Sequence, residues 1–134
     1  MKKETIKELI ERAKQVAVPV KASKDVKTGD VGCALITDKN NIYTGTSIDA
    51  SCGIGFCAEH SAIASMVTNR EFRIKIIVAV TDDGRIIPPC GRCRELIYQI
   101  NYKNLNTDVI IGKNKIVKLK KLLPEIWQKK CYRD

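Results

Sequence analysis

The sequence contains no apolar stretch near the ~20 consecutive residues that a membrane-spanning helix needs. Its first eight residues are rich in charge and lack the apolar centre of a secretory signal. We therefore expect a cytoplasmic protein without a membrane partner. In that compartment the six cysteines are expected to be free thiols or metal ligands and not a disulfide framework.

Aromatic residues are also scarce, with one tryptophan, four tyrosines and two phenylalanines. No glycine-rich aromatic motif of the kind that stacks single-stranded bases is present. The net charge is nevertheless +9, and lysines are concentrated in the C-terminal third. Because the stacking side chains are missing, this charge favours a solvated basic surface, and nucleic acid is not the expected partner.

Hydrophobic patterning predicts one α/β domain over residues 1–134, long enough to bury a core without disulfides. The predicted helices cover residues ~5–17, 58–67, 91–100 and 120–128, the last interrupted by Pro124. The predicted strands cover residues 31–37, 41–46, 74–80, 109–111 and 116–118, and residues 19–30 and 47–56 are expected to be loops. Only three residues separate the last two strands, so these should be antiparallel. This order predicts a three-layer α/β/α sandwich around a mixed five-stranded sheet.

Two fragments carry the chemistry of the chain: CAE at residues 57–59 and PCGRC at residues 89–93. Cys57 opens one predicted helix, and Cys90 and Cys93 open another, so the helix N-termini would stabilise their thiolates. Three thiolates can hold a zinc ion and leave one position for water, which is a catalytic geometry. Glu59 follows Cys57 by two residues, so it can face that water without binding the metal and can transfer protons.

Two other interpretations of these cysteines stay open at this point. A CxxC pair can be a redox motif, although a thioredoxin-like pair follows the first strand and needs neither a third cysteine nor a glutamate. A structural zinc would be closed by a fourth ligand, which Cys33, Cys52, Cys131 or His60 could supply. Cys52 is the most credible of these because it lies in the loop just before Cys57. Such a closed site would suit a module that binds nucleic acid through its basic surface.

In this order, and separated by one strand, the two fragments resemble those of the zinc-dependent cytidine deaminase family. The resemblance extends to residues 31–35, which are similar to the family's first strand, and to Leu122-Leu123-Pro124, which are similar to its C-terminal helix motif. Cysteine at the first ligand position is similar to the small homotetrameric nucleoside deaminases and the blasticidin S deaminases. The resemblance implies a cytidine deaminase-like fold and a homotetramer with active sites at subunit interfaces.

The resemblance also implies a reaction and the residues that perform it. Cys57, Cys90 and Cys93 would bind one zinc ion per subunit, and Glu59 would be the catalytic proton shuttle. The implied activity is hydrolytic deamination at C4 of a cytosine nucleoside, which converts cytidine or deoxycytidine to uridine or deoxyuridine in pyrimidine salvage. Zinc and the backbone near Ala58 would stabilise the tetrahedral intermediate electrostatically.

Departures from the family pattern bear on the substrate. The family's Asn-x-Glu triplet, which binds the ribose hydroxyls, corresponds to residues 47–49, so Ser47 and Asp49 are the implied sugar-binding residues. Gly29 and Asp30 stand where the family has an aromatic residue near the base. These departures make blasticidin S, or a cytosine nucleoside modified at N4, an alternative substrate.

The remaining candidate residues have two interpretations each. His60, the only histidine, is predicted to donate a ring N–H to a thiolate, or else to pack on its helix. Arg92 and Arg94 are predicted to neutralise the thiolates, or else to lie on the surface. Phe56 is expected to line the pocket or the core. Trp127 resembles the C-terminal aromatic that reaches a neighbouring subunit's pocket in tetrameric relatives, with a core role as the alternative.

Overall fold

In a computed structural model that describes residues 3–132, a seven-stranded sheet lies between helices on both of its faces. The helices are α1 (Lys3–Gln15), α2 (Ala58–Thr68), α3 (Gly91–Ile100), α4 (Leu119–Leu122) and α5 (Gln128–Cys131). The strands are β1 (Val20–Lys21), β2 (Val26–Thr37), β3 (Ile42–Ala50), β4 (Ile74–Thr81), β5 (Ile86–Ile87), β6 (Asp108–Gly112) and β7 (Lys115–Lys118). Within residues 3–132, every helix is too short or too polar to cross a bilayer.

Strand β2 organises the antiparallel part of the sheet, because it pairs with both β3 and β4. Strand β4 is parallel to β6, and β6 is antiparallel to β7, as the three-residue connection predicts. The five longer strands therefore form the mixed sheet predicted from sequence, in the order β3-β2-β4-β6-β7. Strands β1 and β5 are two-residue additions along β2 and β4 that the patterning did not predict.

Helices pack on the two faces of this sheet, as the three-layer prediction requires. Successive residues of β2 point to opposite faces, so Leu35 packs in the cluster formed with α2 and α3, whereas Ala34 packs in the cluster formed with α1. Met66 of α2 and Leu9 of α1 are fully buried in these two clusters. Apolar residues at helical spacing thus dictate both outer layers.

A glycine on β3 sets how closely α2 approaches the sheet. A Cβ atom on Gly45 would lie 2.2 Å from the backbone nitrogen of Ala62 and 2.6 Å from the Cβ of Ser61. Only a residue without a side chain fits this contact. The contact fixes the position of the helix that begins next to Cys57.

Two regions differ from the sequence-based prediction. Strand β2 begins at Val26 and β3 extends to Ala50, so much of both predicted loops is strand. The helix predicted over residues 120–128 is interrupted at Pro124 as expected, but only α4 and α5 at its two ends are helical, and between them Pro124 is followed by Glu125 at a φ of 52°. Proline cannot continue the helical hydrogen-bond ladder, and a left-handed residue ends it.

Candidate metal centre

Two helices of the same sheet face begin at cysteines. Cys57 is the N-cap of α2 and Cys90 the N-cap of α3, both with extended backbone and without a side-chain capping bond. Cys93 lies in the first turn of α3 and is buried. All three sulfurs therefore lie where the partial positive charge of a helix N-terminus stabilises a thiolate.

The three sulfur atoms lie close enough together to bind one ion. Sγ of Cys90 is 3.3 Å from Sγ of Cys57 and 3.5 Å from Sγ of Cys93. These separations are slightly shorter than the ~3.8 Å between tetrahedral ligands with ~2.3 Å zinc–sulfur bonds, so small side-chain movements suffice. No fourth His, Cys, Asp or Glu ligand joins the group within residues 3–132, and Cys52 is exposed outside it. The donor set fits a zinc ion with one open position.

The protonation of the thiols also fits a cation at this place. Burial raises the pKa of the Cys57 thiol to about 11, and burial likewise raises the pKa of Cys93. Burial opposes ionisation of Cys90 as well, but the backbone N–H of Cys93 and the two neighbouring thiols outweigh it and lower the pKa of Cys90. Cys90 is therefore the thiol that ionises most readily, and a divalent cation would supply the charge that the other two thiolates need.

Glu59 lies beside this cluster in the first turn of α2 and is only 4% exposed. Burial raises the pKa of its carboxyl group, although hydrogen bonds from its own backbone N–H and from the Cys93 thiol oppose the shift. A carboxylate with a raised pKa is a stronger base than one in water, and it can return the proton that it accepts. The structure thus brings together the three predicted ligands and the predicted shuttle.

A cavity of about 570 Å³ opens onto Glu59 and two of the cysteines. Its volume lies in the range of small-molecule sites. The residues predicted from sequence that line it are Ser47, Asp49, Phe56, Cys57, Ala58, Glu59, Cys90 and Arg92. Trp127 is not among its lining residues.

The two predicted sugar-binding residues differ from each other in burial. Ser47 is buried, and its hydroxyl accepts a hydrogen bond from the backbone N–H of Val31 at 3.0 Å. Asp49 is exposed at the cavity wall. Phe56 is half-buried and exchanges backbone hydrogen bonds with Ile48 at 2.9 and 3.0 Å, which aligns the segment that leads into Cys57.

His60, Arg92 and Arg94 relate to the centre in different ways. Nδ1 of His60 lies 3.3 Å from Sγ of Cys93, so the contact on which its predicted role depends is present. Burial, and then the charge of Arg92, lower the pKa of His60, which favours a neutral ring. Arg94 instead donates to the carbonyls of Pro89 at 2.8 Å and Leu122 at 3.2 Å. Through these bonds Arg94 fixes the loop that precedes Cys90, and its neutralisation of the thiolates stays a prediction.

Asp30 is a lining residue to which the sequence reasoning gave no role. It lies where the pairing of β2 with β3 shifts register, between Thr28 and Gly32. The available signal was its position directly before the apolar run of residues 31–36. A bulge in a strand next to a site turns a side chain toward that site.

The chain is similar to known proteins in both sequence and structure. The family model of the cytidine and deoxycytidylate deaminase zinc-binding region matches residues 3–108. The cytidine deaminase of Mycobacterium tuberculosis is 29% identical over 70 residues, 52% of this chain and 53% of that protein. The blasticidin-S deaminase of Bacillus cereus is 40% identical over 76 residues, 50% of this chain and 54% of that protein.

Among solved structures, the cytidine deaminase from Mycobacterium leprae matches with a TM-score of 0.76 at 23% identity, over 90% of this chain and 98% of that chain. This likeness shows the fold. The chain spans about half the length of the curated relatives that it matches in sequence.

Proposed function

Because the chain belongs to the cytidine and deoxycytidylate deaminase family with its zinc-binding region, we propose that it hydrolytically removes the C4 amine of a cytosine nucleoside. The products would be the uracil nucleoside and ammonia. The observation that carries this proposal is the buried carboxyl of Glu59, next to three clustered sulfurs, at the wall of a cavity of nucleoside size. A closed structural site would need a fourth ligand, and none joins the cluster within residues 3–132.

Cys57, Cys90 and Cys93 would hold one zinc ion per chain. When bound, zinc supplies the Lewis acidity that makes water a competent nucleophile at neutral pH. The chain contributes the negative charge of the ligands and the two helix N-termini that stabilise it.

Glu59 would perform the proton transfers of the reaction. Its carboxylate accepts a proton from the attacking water and passes that proton to N3 of the cytosine ring, which makes C4 more electrophilic. It then delivers the second proton of the water to the departing amine, so that neutral ammonia leaves. Its burial supports both steps, because a desolvated carboxylate is a stronger base than one in water.

The cavity wall would orient the substrate. The backbone N–H of Ala58 is in the first turn of α2, where N–H groups have no partner within the helix, so it is suited to stabilise developing negative charge. Asp49 would accept a hydrogen bond from a sugar hydroxyl. The ring of Phe56 would pack beside the substrate.

The alternative substrate is blasticidin S or a cytosine nucleoside modified at N4. The support for it is the 40% identity to the Bacillus cereus protein and the occupied hydroxyl of Ser47, which already accepts the Val31 N–H. An asparagine at that position would offer a free amide to the ribose, whereas this serine does not.

Assembly and location belong to the proposal as well. Trp127 is 42% exposed, which agrees with a homotetramer in which this side chain reaches a neighbouring subunit. A single domain over residues 1–134, a cytoplasmic location and a role in pyrimidine salvage stay predictions.

The function is tested by supplying the zinc-loaded protein with cytidine, deoxycytidine, an N4-methylated cytidine and blasticidin S side by side. Turnover is measured by the loss of cytosine absorbance and by release of ammonia or, from the N4-methylated cytidine, of methylamine. We expect at least one substrate to be deaminated, and zinc-loaded Glu59→Gln protein to be the matched inactive control. Zinc-loaded wild-type protein that converts none of the four, with neither ammonia nor methylamine released, would refute the proposal.

A further inference from the structure

The lysines of the C-terminal third have no part in the proposed reaction. Three of them, Lys120 on α4 and Lys129 and Lys130 on α5, line a hollow of about 310 Å³, which we call the basic hollow. It shares no lining residue with the cavity that opens onto Glu59. The basic hollow is therefore a second, separate concave surface of the chain.

The turn between α4 and α5 brings these lysines together. Pro124 cannot continue α4, and Glu125 follows it in a left-handed conformation at a φ of 52°. The carbonyl of Leu122, at the end of α4, accepts a hydrogen bond from Arg94 of α3 at 3.2 Å. The turn is thus held against the body of the protein, so the lysines of α4 and α5 converge on one place.

The floor of the basic hollow is apolar. Leu105, Leu123 and Ile126 line it, are half-buried and pack against the core cluster formed with α2 and α3. The three lysines are exposed. The apolar side chains are therefore less exposed than the charged ones around them, which is the arrangement of a floor and a rim.

The charge of the hollow is positive. Among the described residues that line it, Glu125 is the one acidic residue, so the three lysines leave an excess of two positive charges. Of the charges nearby, Lys121 adds to this excess, Glu95 reduces it, and Asp108 and Lys118 cancel in an ion pair at 2.8 Å. The surroundings therefore leave the excess in place.

The three lysines of the rim have no ion-pair partner in the part of the chain that the structure describes. Bringing unpaired ammonium groups together costs free energy through their mutual repulsion, and a bound anion would relieve it. Lysine binds phosphate as a point charge. The rim is thus suited to a ligand with more than one phosphate group.

The size and lining of the hollow favour a small ligand over a polymer. A volume of about 310 Å³ is at the lower end of the range for small-molecule sites. Single-stranded nucleic acid binds along a groove in which successive bases stack on aromatic side chains. The described lining of this hollow contains no aromatic residue, but its aliphatic floor can pack against one ring.

We propose that the basic hollow binds a nucleoside di- or triphosphate. The phosphate chain lies between the three lysines, and the base packs on the apolar floor. The floor presents aliphatic side chains and no hydrogen-bonding side chain to the edge of the base, so the site accepts different bases. This site goes beyond the proposed function, because it shares no residue with the cavity in which cytosine would react.

Three probes test whether phosphate chain and ring are both recognised: UTP, uridine and inorganic triphosphate. UTP is suitable because uracil has no exocyclic amine and is not consumed by the proposed reaction. Dissociation constants are measured by calorimetry on zinc-loaded wild-type protein without Mg²⁺, and zinc content is checked afterwards. We expect UTP to bind at least about tenfold more tightly than uridine or triphosphate, because only UTP uses both rim and floor. Raising the salt from about 0.05 M to about 0.5 M should weaken UTP binding.

Variants locate the binding. The double variant Lys129→Gln/Lys130→Gln should raise the Kd of UTP by at least about tenfold, because two of the three rim charges are lost. The matched control is Lys113→Gln/Lys115→Gln, which removes two charges from exposed lysines outside the hollow. This control should bind UTP as wild type does. Since all four lysines are exposed, both variants should keep the wild-type Tm.

A single-stranded oligouridylate of about ten nucleotides distinguishes a nucleotide site from a nucleic-acid surface. We expect it to bind no more tightly than UTP. The inference is overturned if UTP does not bind, if UTP binds no more tightly than uridine or triphosphate, or if the two double variants bind UTP equally. Clearly tighter binding of the oligouridylate would also overturn it and would assign the basic surface to nucleic acid. None of these measurements requires turnover, so the inference and the proposed function can fail separately.

Discussion

Trp127 donates its indole N–H to the carboxylate of Glu95 at 3.0 Å, which ties the C-terminal segment to the helix that carries Cys93. Gln128 donates to the same oxygen at 2.7 Å. Together with the bond from Arg94 to the Leu122 carbonyl, these contacts hold the last part of the chain against α3. The helix α3 and the C-terminal segment thus pack as one unit.

Replacing Glu95 by alanine should release this segment. Trp127 is the only tryptophan, so intrinsic fluorescence reports its surroundings directly. We expect a red-shifted emission maximum and a lower Tm in Glu95→Ala, because the buried side chain of Gln128 would lose its hydrogen bond to Glu95. Glu8→Ala, an exposed change on α1, is the control. An unchanged emission maximum in Glu95→Ala would show that Glu95 does not hold Trp127 in place.

Glu59→Gln should retain zinc and lose at least ~10²-fold in kcat, the usual contribution of a general acid–base group. The amide has the shape of the carboxyl group but cannot accept and return a proton. Zinc content by elemental analysis and kcat on the best substrate are measured together. Near-normal turnover with full zinc would show that another group transfers the proton.

Cys90→Ala should abolish stoichiometric zinc binding, because two remaining thiols do not close a stable site. Cys52→Ala is the matched control, since this thiol lies outside the cluster, and should bind one zinc ion as wild type does. Both proteins are purified without chelator and analysed by mass spectrometry under native conditions. A full zinc complement in Cys90→Ala would refute the ligand assignment.

Much of this architecture follows from local patterning. The bounds of α3, Gly91–Ile100, agree with prediction, because a proline–cysteine start and helical spacing both mark it. The start of β2 at Val26 could not be predicted in this way. Its first five residues are mostly polar and include Gly29 at a φ of 88°, and β1 and β3 supply their hydrogen-bond partners on both sides.

The site, like the fold, could be predicted from sequence only in part. The three cysteines and Glu59 come together as their motifs predict, because each motif lies at a helix start whose position the core fixes. The bonds of Arg94 could not be inferred, since the Leu122 carbonyl approaches it only through tertiary packing. The same holds for Ser47, whose hydroxyl is occupied by the backbone of a neighbouring strand.

Gly45→Ala should destabilise the protein by about 1–3 kcal/mol or more, the usual cost of overpacking. The new Cβ would lie 2.2 Å from the Ala62 nitrogen, so α2 must move away from the sheet. Gly112→Ala is the control, because its Cβ would meet nothing nearer than 3.9 Å. Denaturant unfolding with an unchanged midpoint in Gly45→Ala would show that the helix can shift without cost.

Glu71 should make stability depend on pH at the acidic end. It is buried and accepts hydrogen bonds from Thr37 at 2.6 Å, from Asn41 at 2.9 Å and from Tyr43. The bonds from Thr37 and Tyr43 lower its pKa in the folded state. The carboxylate therefore stabilises the fold above its ordinary pKa of 4.5, and this contribution is lost as the pH falls through the lowered value.

Glu71→Gln should accordingly lower Tm at pH 7 and flatten the decline of Tm between about pH 5 and pH 3. Thermal unfolding across this range measures both effects. Glu11→Gln, on the exposed face of α1, should leave the slope as in wild type. If Tm of Glu71→Gln declines with the wild-type slope, the acid sensitivity arises from other groups.

The three sulfurs come from the starts of two helices that are separated in the chain by two strands, β4 and β5. An ion bound to them would cross-link these distant segments as a covalent bridge does. A chelator such as citrate or EDTA would remove the ion and so release both helix starts at once. Protein prepared in this way should be cleaved more readily by proteases at residues 51–57 and 87–92. The purification history of a sample should be recorded beside every rate measured on it.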